Sequence, residues 1–202
     1  MRGAIINSHI VGEYLDNPKF SPVLEAVEAL DVPIYLHPNT PSAKMIQPML
    51  EAGLDGAIFG FGVETGLHAL RLITSGVFDR FPKLQVILGH MGEALPFLLY
   101  RLDYMHQAGI KSGRYPFMKT LKKDLVSNYL RENFHFTNSG VAWEPAIKFT
   151  RDVIGKDRVL YAMDYPYQCP PEEVVALDKL DMSIEEKRQF FQTNAERLFK
   201  LA

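Results

Sequence analysis

Three apolar runs in this chain end in a residue able to ligate a metal or carry a proton, and this repeat limits the fold more than any other feature. Leu84-Gln-Val-Ile-Leu88 passes through Gly89 into His90. Val32-Pro-Ile-Tyr-Leu36 passes into His37-Pro38. Arg158-Val-Leu-Tyr-Ala-Met163 passes into Asp164-Tyr-Pro166. Short apolar runs bounded by Gly and Pro read as buried strands. Parallel α/β folds place their chemistry at the C-terminal ends of such strands. One shared site is therefore expected for His37, His90 and Asp164.

Helical patterns alternate with these runs, which predicts a parallel sheet with crossover helices. Strands are expected at about 3–7, 33–37, 85–89, 134–138 and 159–163. A helix is expected from Ser21-Pro22, with Ser21 as its N-cap and Val23, Leu24, Val27 and Leu30 on one face. Others are expected over about 64–75 (stopped by Gly76), 95–107, up to Glu132, and 144–154. Ser183-Ile-Glu-Glu186 reads as a capping box. It opens a last helix through Phe190, Phe191, Ala195, Leu198 and Phe199. Residues 38–61 read as a loop. No boundary is visible, so 1–202 is expected to be one domain. Five strands are too few for a closed eight-stranded barrel. They suit an open doubly wound sheet or part of a barrel.

Composition narrows the classes. A net charge of −2 over 202 residues leaves no basic footprint for nucleic acid or an anionic membrane. The single cysteine, Cys169, excludes a disulfide framework within the chain and predicts a cytoplasmic location. No apolar run reaches the roughly 18–20 residues of a membrane span. The opening residues are too short and too quickly polar for a signal peptide.

Seven motifs follow in order: Tyr35-Leu-His37-Pro, Glu64-Thr-Gly-Leu-His-Ala-Leu-Arg71, Ser75-Gly-Val-Phe-Asp-Arg-Phe-Pro82, Ile87-Leu-Gly-His90-Met-Gly-Glu93, Phe136-Thr-Asn-Ser-Gly140, Asp164-Tyr-Pro166 and Thr193-Asn-Ala-Glu-Arg-Leu-Phe199. Together they resemble the decarboxylase branch of the amidohydrolase superfamily, which holds the γ-resorcylate, 5-carboxyvanillate and aminocarboxymuconate-semialdehyde decarboxylases. The resemblance runs from Gly3 to Leu201. It implies a metal-dependent (β/α)8 TIM barrel, of which this chain carries the C-terminal five (β/α) units. The first strand resembles the family's fourth, and the family's first-strand His-x-His or Glu-x-Ala/His motif is not found near the start. An incomplete barrel exposes sheet edges, which predicts a homo-oligomer or a partner chain.

The resemblance also assigns roles. His37 and Asp164 would hold a divalent cation, Zn or Mn, with Asp164 also carrying a proton. With two ligands the metal site would be weak, and the chain by itself a poor catalyst. Glu93 would orient His90, and Arg101 would help hold the Glu93 carboxylate and the substrate end of the pocket. The implied reaction is non-oxidative decarboxylation of a hydroxylated aromatic or enoic carboxylic acid. The same residues would serve hydrolysis of a lactone or amide. A truncated non-catalytic remnant that pairs with another chain is the rival from a different class. Plainer readings stand beside each role. His37 could bond a loop carbonyl, Asp164 could belong to a turn, and Arg101 could pair on the surface with Asp103 or Glu93. Asn7 and Asn138 could offer amides to a substrate oxygen or serve as turn residues. His68 reads as structural, and His9, His106 and His135 have no supporting constellation. Trp143 and Tyr165 could pack against an aromatic substrate, with core or rim packing as the plainer reading.

Overall fold

The computed structural model describes residues 2–201. Five strands form one parallel sheet in strictly sequential order: β1 (Ala4–Asn7), β2 (Ile34–His37), β3 (Val86–Leu88), β4 (Phe134–Thr137) and β5 (Val159–Leu160). Each strand pairs only with its neighbours in sequence. The register aligns Ile5 with Tyr35, Tyr35 with Ile87, and Ile87 with His135. This is the open arc expected of five successive barrel units.

Alternation divides the sheet into two faces. Ile34, Leu36, Val86, Leu88, Phe134, Phe136 and Val159 point to the helices and are almost wholly buried. They pack with Leu72 and Ile73 of the Gly60–Thr74 helix, Phe78, Tyr129, Leu130, Ile147 and Phe190 in a single core. The other face is concave and carries Ile5, Asn7, Tyr35, His37, Ile87, His135 and Thr137. At its β1 end this face is open, and Ile5 is 72% exposed.

Most elements lie where the apolar patterning put them, and the departures have local causes. Ser21 is the first residue of its helix, Ser21–Ala29, and not the cap. Asn17 instead caps a preceding 3-10 turn, Pro18–Phe20, by accepting from the Lys19 N–H. Only Leu24 and Val27 of the expected apolar face are buried; Val23 and Leu30 are exposed. The 3–7 and 33–37 strands each lose one N-terminal residue. β5 stops at Leu160 because the next amides bond elsewhere. The Tyr161 N–H donates to the Phe190 carbonyl and the Ala162 N–H to Asn138 Oδ1. The 38–61 loop holds a helical turn, Gln47–Leu50, and the following helix begins at Gly60 rather than 64. The helix expected at 95–107 is a 3-10 turn, Leu95–Leu98, followed by a helix over Leu99–Ser112. The helix Pro171–Asp178 was not anticipated. The capping box at Ser183 and Glu186 forms in both directions. No helix among the described residues is long and apolar enough to cross a membrane.

Candidate active site

The chain leaves β3 through a left-handed turn. His90, Met91, Gly92, Glu93 and Ala94 all have positive φ, between 49° and 80°. For residues other than Gly each such position costs on the order of 1 kcal/mol, so packing must hold the turn. Gly92 is the keystone. A Cβ there would lie 2.4 Å from the Phe136 ring. Gly92→Ala is expected to cost roughly 3 kcal/mol by overpacking together with left-handed strain. Urea unfolding midpoints measure it, and a change below about 1 kcal/mol would mean that the turn is not locked against β4.

The turn brings Glu93 back under His90, and His90 Nδ1 donates to Glu93 Oε1 at 2.7 Å. The Glu93 side chain is only 5% exposed. Its other oxygen lies where a side chain at Gly62 would begin, 2.8 Å from that Cβ position. Burial pulls the His90 pKa down, but the Glu93 hydrogen bond and the charges of Glu93 and Asp164 outweigh it and raise it above the ordinary value. Asp164 sits across Gly140. A Cβ at Gly140 would lie 3.1 Å from His90 Cδ2 and 3.4 Å from Asp164 Oδ2. Asp164 also has positive φ, at 61°, and its carbonyl accepts from the N–H groups of Tyr167 and Gln168. A cleft of about 660 Å³ opens beside the trio. Ile58, Phe59, Phe61 and Leu95 supply an apolar wall, with His90, Glu93, Asp164 and Gln168 as the polar groups. That volume and mixture suit a small aromatic ligand.

His37 ends β2 on the concave face and does not line this cleft. Its Nδ1 is bonded to the Pro38 carbonyl at 2.9 Å. The carbonyl can only accept, so Nδ1 carries the proton and Nε2 presents its lone pair. This is the arrangement a metal-ligating imidazole needs. The half-buried Asp164 carboxylate adds an oxygen donor suited to a divalent ion. An imidazole nitrogen and a carboxylate oxygen are both donor types that a divalent ion accepts. Among the described residues, no three of His, Cys, Asp and Glu gather closely enough to hold one.

The remaining candidates separate. Arg101 is exposed on the Leu99–Ser112 helix and makes no ion pair with Glu93, whose carboxylate is held by His90 instead. Asn7 is exposed at the end of β1, level with His37. Asn138 is 2% exposed and spends its side-chain oxygen on the Ala162 N–H, so it clasps β4 to the chain beyond β5. His68 is fully buried. Its Nε2 accepts from the Leu15 N–H at 3.0 Å, which leaves Nδ1 to donate to Ser8 Oγ. Ser8 in turn donates to the buried Glu64. His9 bonds the Thr40 carbonyl and the Gly12 N–H, and His106 bonds the Lys119 carbonyl. Trp143 and Tyr165 are exposed, so neither packs in the core. Sequence reasoning missed three hydroxyls beneath His90: those of Tyr35, Thr137 and Ser139. The period-two spacing of Tyr35 with His37, and of Thr137 with Ser139, would have placed them on the concave face.

Comparison with known proteins places the chain in a family. The family profile described as Amidohydrolase matches residues 1–201. γ-Resorcylate decarboxylase from Polaromonas sp. is 36% identical over 198 residues, covering 96% of this chain and 59% of that protein. The crystal structure of 5-carboxyvanillate decarboxylase from Novosphingobium aromaticivorans, complexed with manganese and 4-hydroxy-3-methoxy-5-nitrobenzoic acid, superposes with a TM-score of 0.97. It is 62% identical, with 99% of this chain and 56% of that one covered. A dihydroxybenzoic acid decarboxylase from Polaromonas sp., with bound manganese and 2-nitroresorcinol, gives a TM-score of 0.88 at 34% identity and covers 100% and 61% of the two chains. The chain thus spans less than two thirds of the length of these relatives, as five units of a (β/α)8 barrel would. Motifs, sheet and profile agree: the chain belongs to the amidohydrolase family, and the three relatives named above are decarboxylases.

Proposed function

We propose that this chain carries the proton-transfer half of a metal-dependent, non-oxidative decarboxylase acting on an aromatic acid with a hydroxyl beside its carboxylate. The observation that carries the reading is the half-buried His90–Glu93 pair facing Asp164 across Gly140. Decarboxylation breaks the bond between ring carbon and carboxylate, and CO₂ leaves. The ring carbon must gain a proton in its place. Asp164, which lines the cleft, delivers it. His90, its raised pKa favouring the protonated form, stabilises negative charge on the substrate while the ring is not aromatic. Glu93 fixes the orientation of that imidazole. The apolar wall holds the ring and keeps water from the protonation step. A divalent cation, Mn²⁺ or Zn²⁺, would take His37 and Asp164 among its ligands, and would supply Lewis-acid polarisation of the carboxylate and hydroxyl oxygens.

The test supplies the chain with Mn²⁺ and, separately, with 2,6-dihydroxybenzoate, 5-carboxyvanillate and an aryl lactone. Slow CO₂ release from one of the acids is expected, slow because a site with two ligands holds its ion weakly, with no lactone opening. Lactone hydrolysis without CO₂ release would replace the reading with metal-dependent hydrolysis. Inertness toward all three would favour the non-catalytic remnant.

A further inference from the structure

We propose that Ser139, seated by Tyr35 and Thr137, is a positioning residue for His90. The inference rests on the reading of His90 as the ring that faces the substrate. Three hydroxyls close a small ring on the concave face. Tyr35 OH lies 3.0 Å from Thr137 Oγ1 and 3.3 Å from Ser139 Oγ, and the last two are 3.0 Å apart. The ring bridges β2 to the end of β4 over β3, and can do so only because Gly89 has no side chain. A Cβ there would stand 2.9 Å from Ser139 Oγ and 3.2 Å from Tyr35 OH. Each hydroxyl has one proton and two lone pairs. If each donates to the next around the ring, every proton is used and each oxygen keeps one lone pair free. Ser139 Oγ uses its free pair on the His90 N–H, at 3.4 Å. That is the first amide of the left-handed turn.

A merely structural role explains the trio poorly. Thr137 and Ser139 are 4% and 5% exposed. Apolar side chains would fill the same volume without the cost of desolvating hydroxyls. A fully satisfied buried network instead enforces one geometry. Here that geometry ends on the backbone of His90. The turn is then pinned at three points: its first amide by Ser139, its glycine by Phe136, and its last carboxylate against Gly62.

The test reads the turn directly and needs no turnover. Two NMR observables are followed at His90. One is the exchange rate of its backbone amide. The other is the low-field imidazole Nδ1 proton shared with Glu93, assigned by its loss in Glu93→Gln. Ser139→Ala, Thr137→Val and Tyr35→Phe are each expected to speed amide exchange about tenfold or more and to broaden the low-field signal. Thr137→Ser, which keeps the hydroxyl, is expected to retain both. Any of three results would overturn the proposal: no low-field signal in the unaltered chain, no change in Ser139→Ala, or equal loss in Thr137→Ser and Thr137→Val. A turn that responds as expected in a chain that releases no CO₂ would sink the proposed reaction and leave the positioning role standing.

Discussion

Acidification from pH 7 to pH 4 is expected to remove most of this chain's stability. His68 and His135 are almost wholly shielded from solvent and their pKa values are lowered to about 3. Burial is the main cause in both, with the positive charge of Arg71 acting on His68 and that of Arg158 on His135. Each accepts a hydrogen bond at Nε2, from the Leu15 N–H and from the Arg158 guanidinium, and would lose it on protonation. The unfolded chain takes up these protons near pH 6.5, while the folded chain resists them until about pH 3. Stability is therefore full above pH 6.5 and falls as the pH drops toward the folded values. At pH 4 the loss is on the order of 3 kcal/mol for each histidine, against a total of roughly 5–15 kcal/mol for a typical domain. His90 has the opposite sign. Its raised pKa gives stability that is complete below pH 6.5 and is lost as the pH rises through the folded value. Urea midpoints measured between pH 4 and 8 test this. A midpoint at pH 4.5 equal to that at pH 7 would show that the two imidazoles are not held neutral. In His68→Gln, the slope on the acid side should fall by about half, because one of two equal contributors is gone.

The largest expected effect on chemistry comes from His90→Ala and Asp164→Asn. Each should lower CO₂ release about 10²–10⁴-fold relative to the unaltered chain, the range for loss of a positioned acid or base. Both residues sit at the rim of the sheet and contribute little packing. Asp164→Asn should therefore change the unfolding free energy by less than about 1 kcal/mol, whereas His90→Ala also strips the shielded Glu93 carboxylate of its partner and should cost about 1–3 kcal/mol. Arg101→Ala provides the contrast. Its side chain is exposed and does not reach Glu93, so turnover should stay within about twofold, as for a surface substitution away from the cleft. A loss as large as that of His90→Ala would return Arg101 to the site.

The number of strands was legible because each is a short, largely apolar run, and their sequential order followed from the family resemblance. The pairing of His90 with Glu93 was legible through the family motif. What local pattern could not supply was the hand of the backbone. His90-Met-Gly-Glu93 has the spacing of an ordinary helical turn, and tertiary contacts such as the fit of Gly92 against Phe136 go with its left-handed form. Tertiary partners also decided the fate of polar residues. Asn138 looked free to meet a substrate until the Ala162 amide took its oxygen. The exposure of Val23 and Leu30 likewise depends on what lies beside the first helix, which an amphipathic pattern does not encode.

The left-handed turn has a thermodynamic corollary. Its order and the occupancy of the cleft are linked quantities, since any ligand that meets His90 only in its pinned orientation selects the ordered turn. The free energy by which the turn's order favours such a ligand must equal the free energy by which the ligand suppresses opening of the turn. Affinity and local rigidity should therefore rise and fall together across variants of the residues that pin it, even where those residues never touch the ligand.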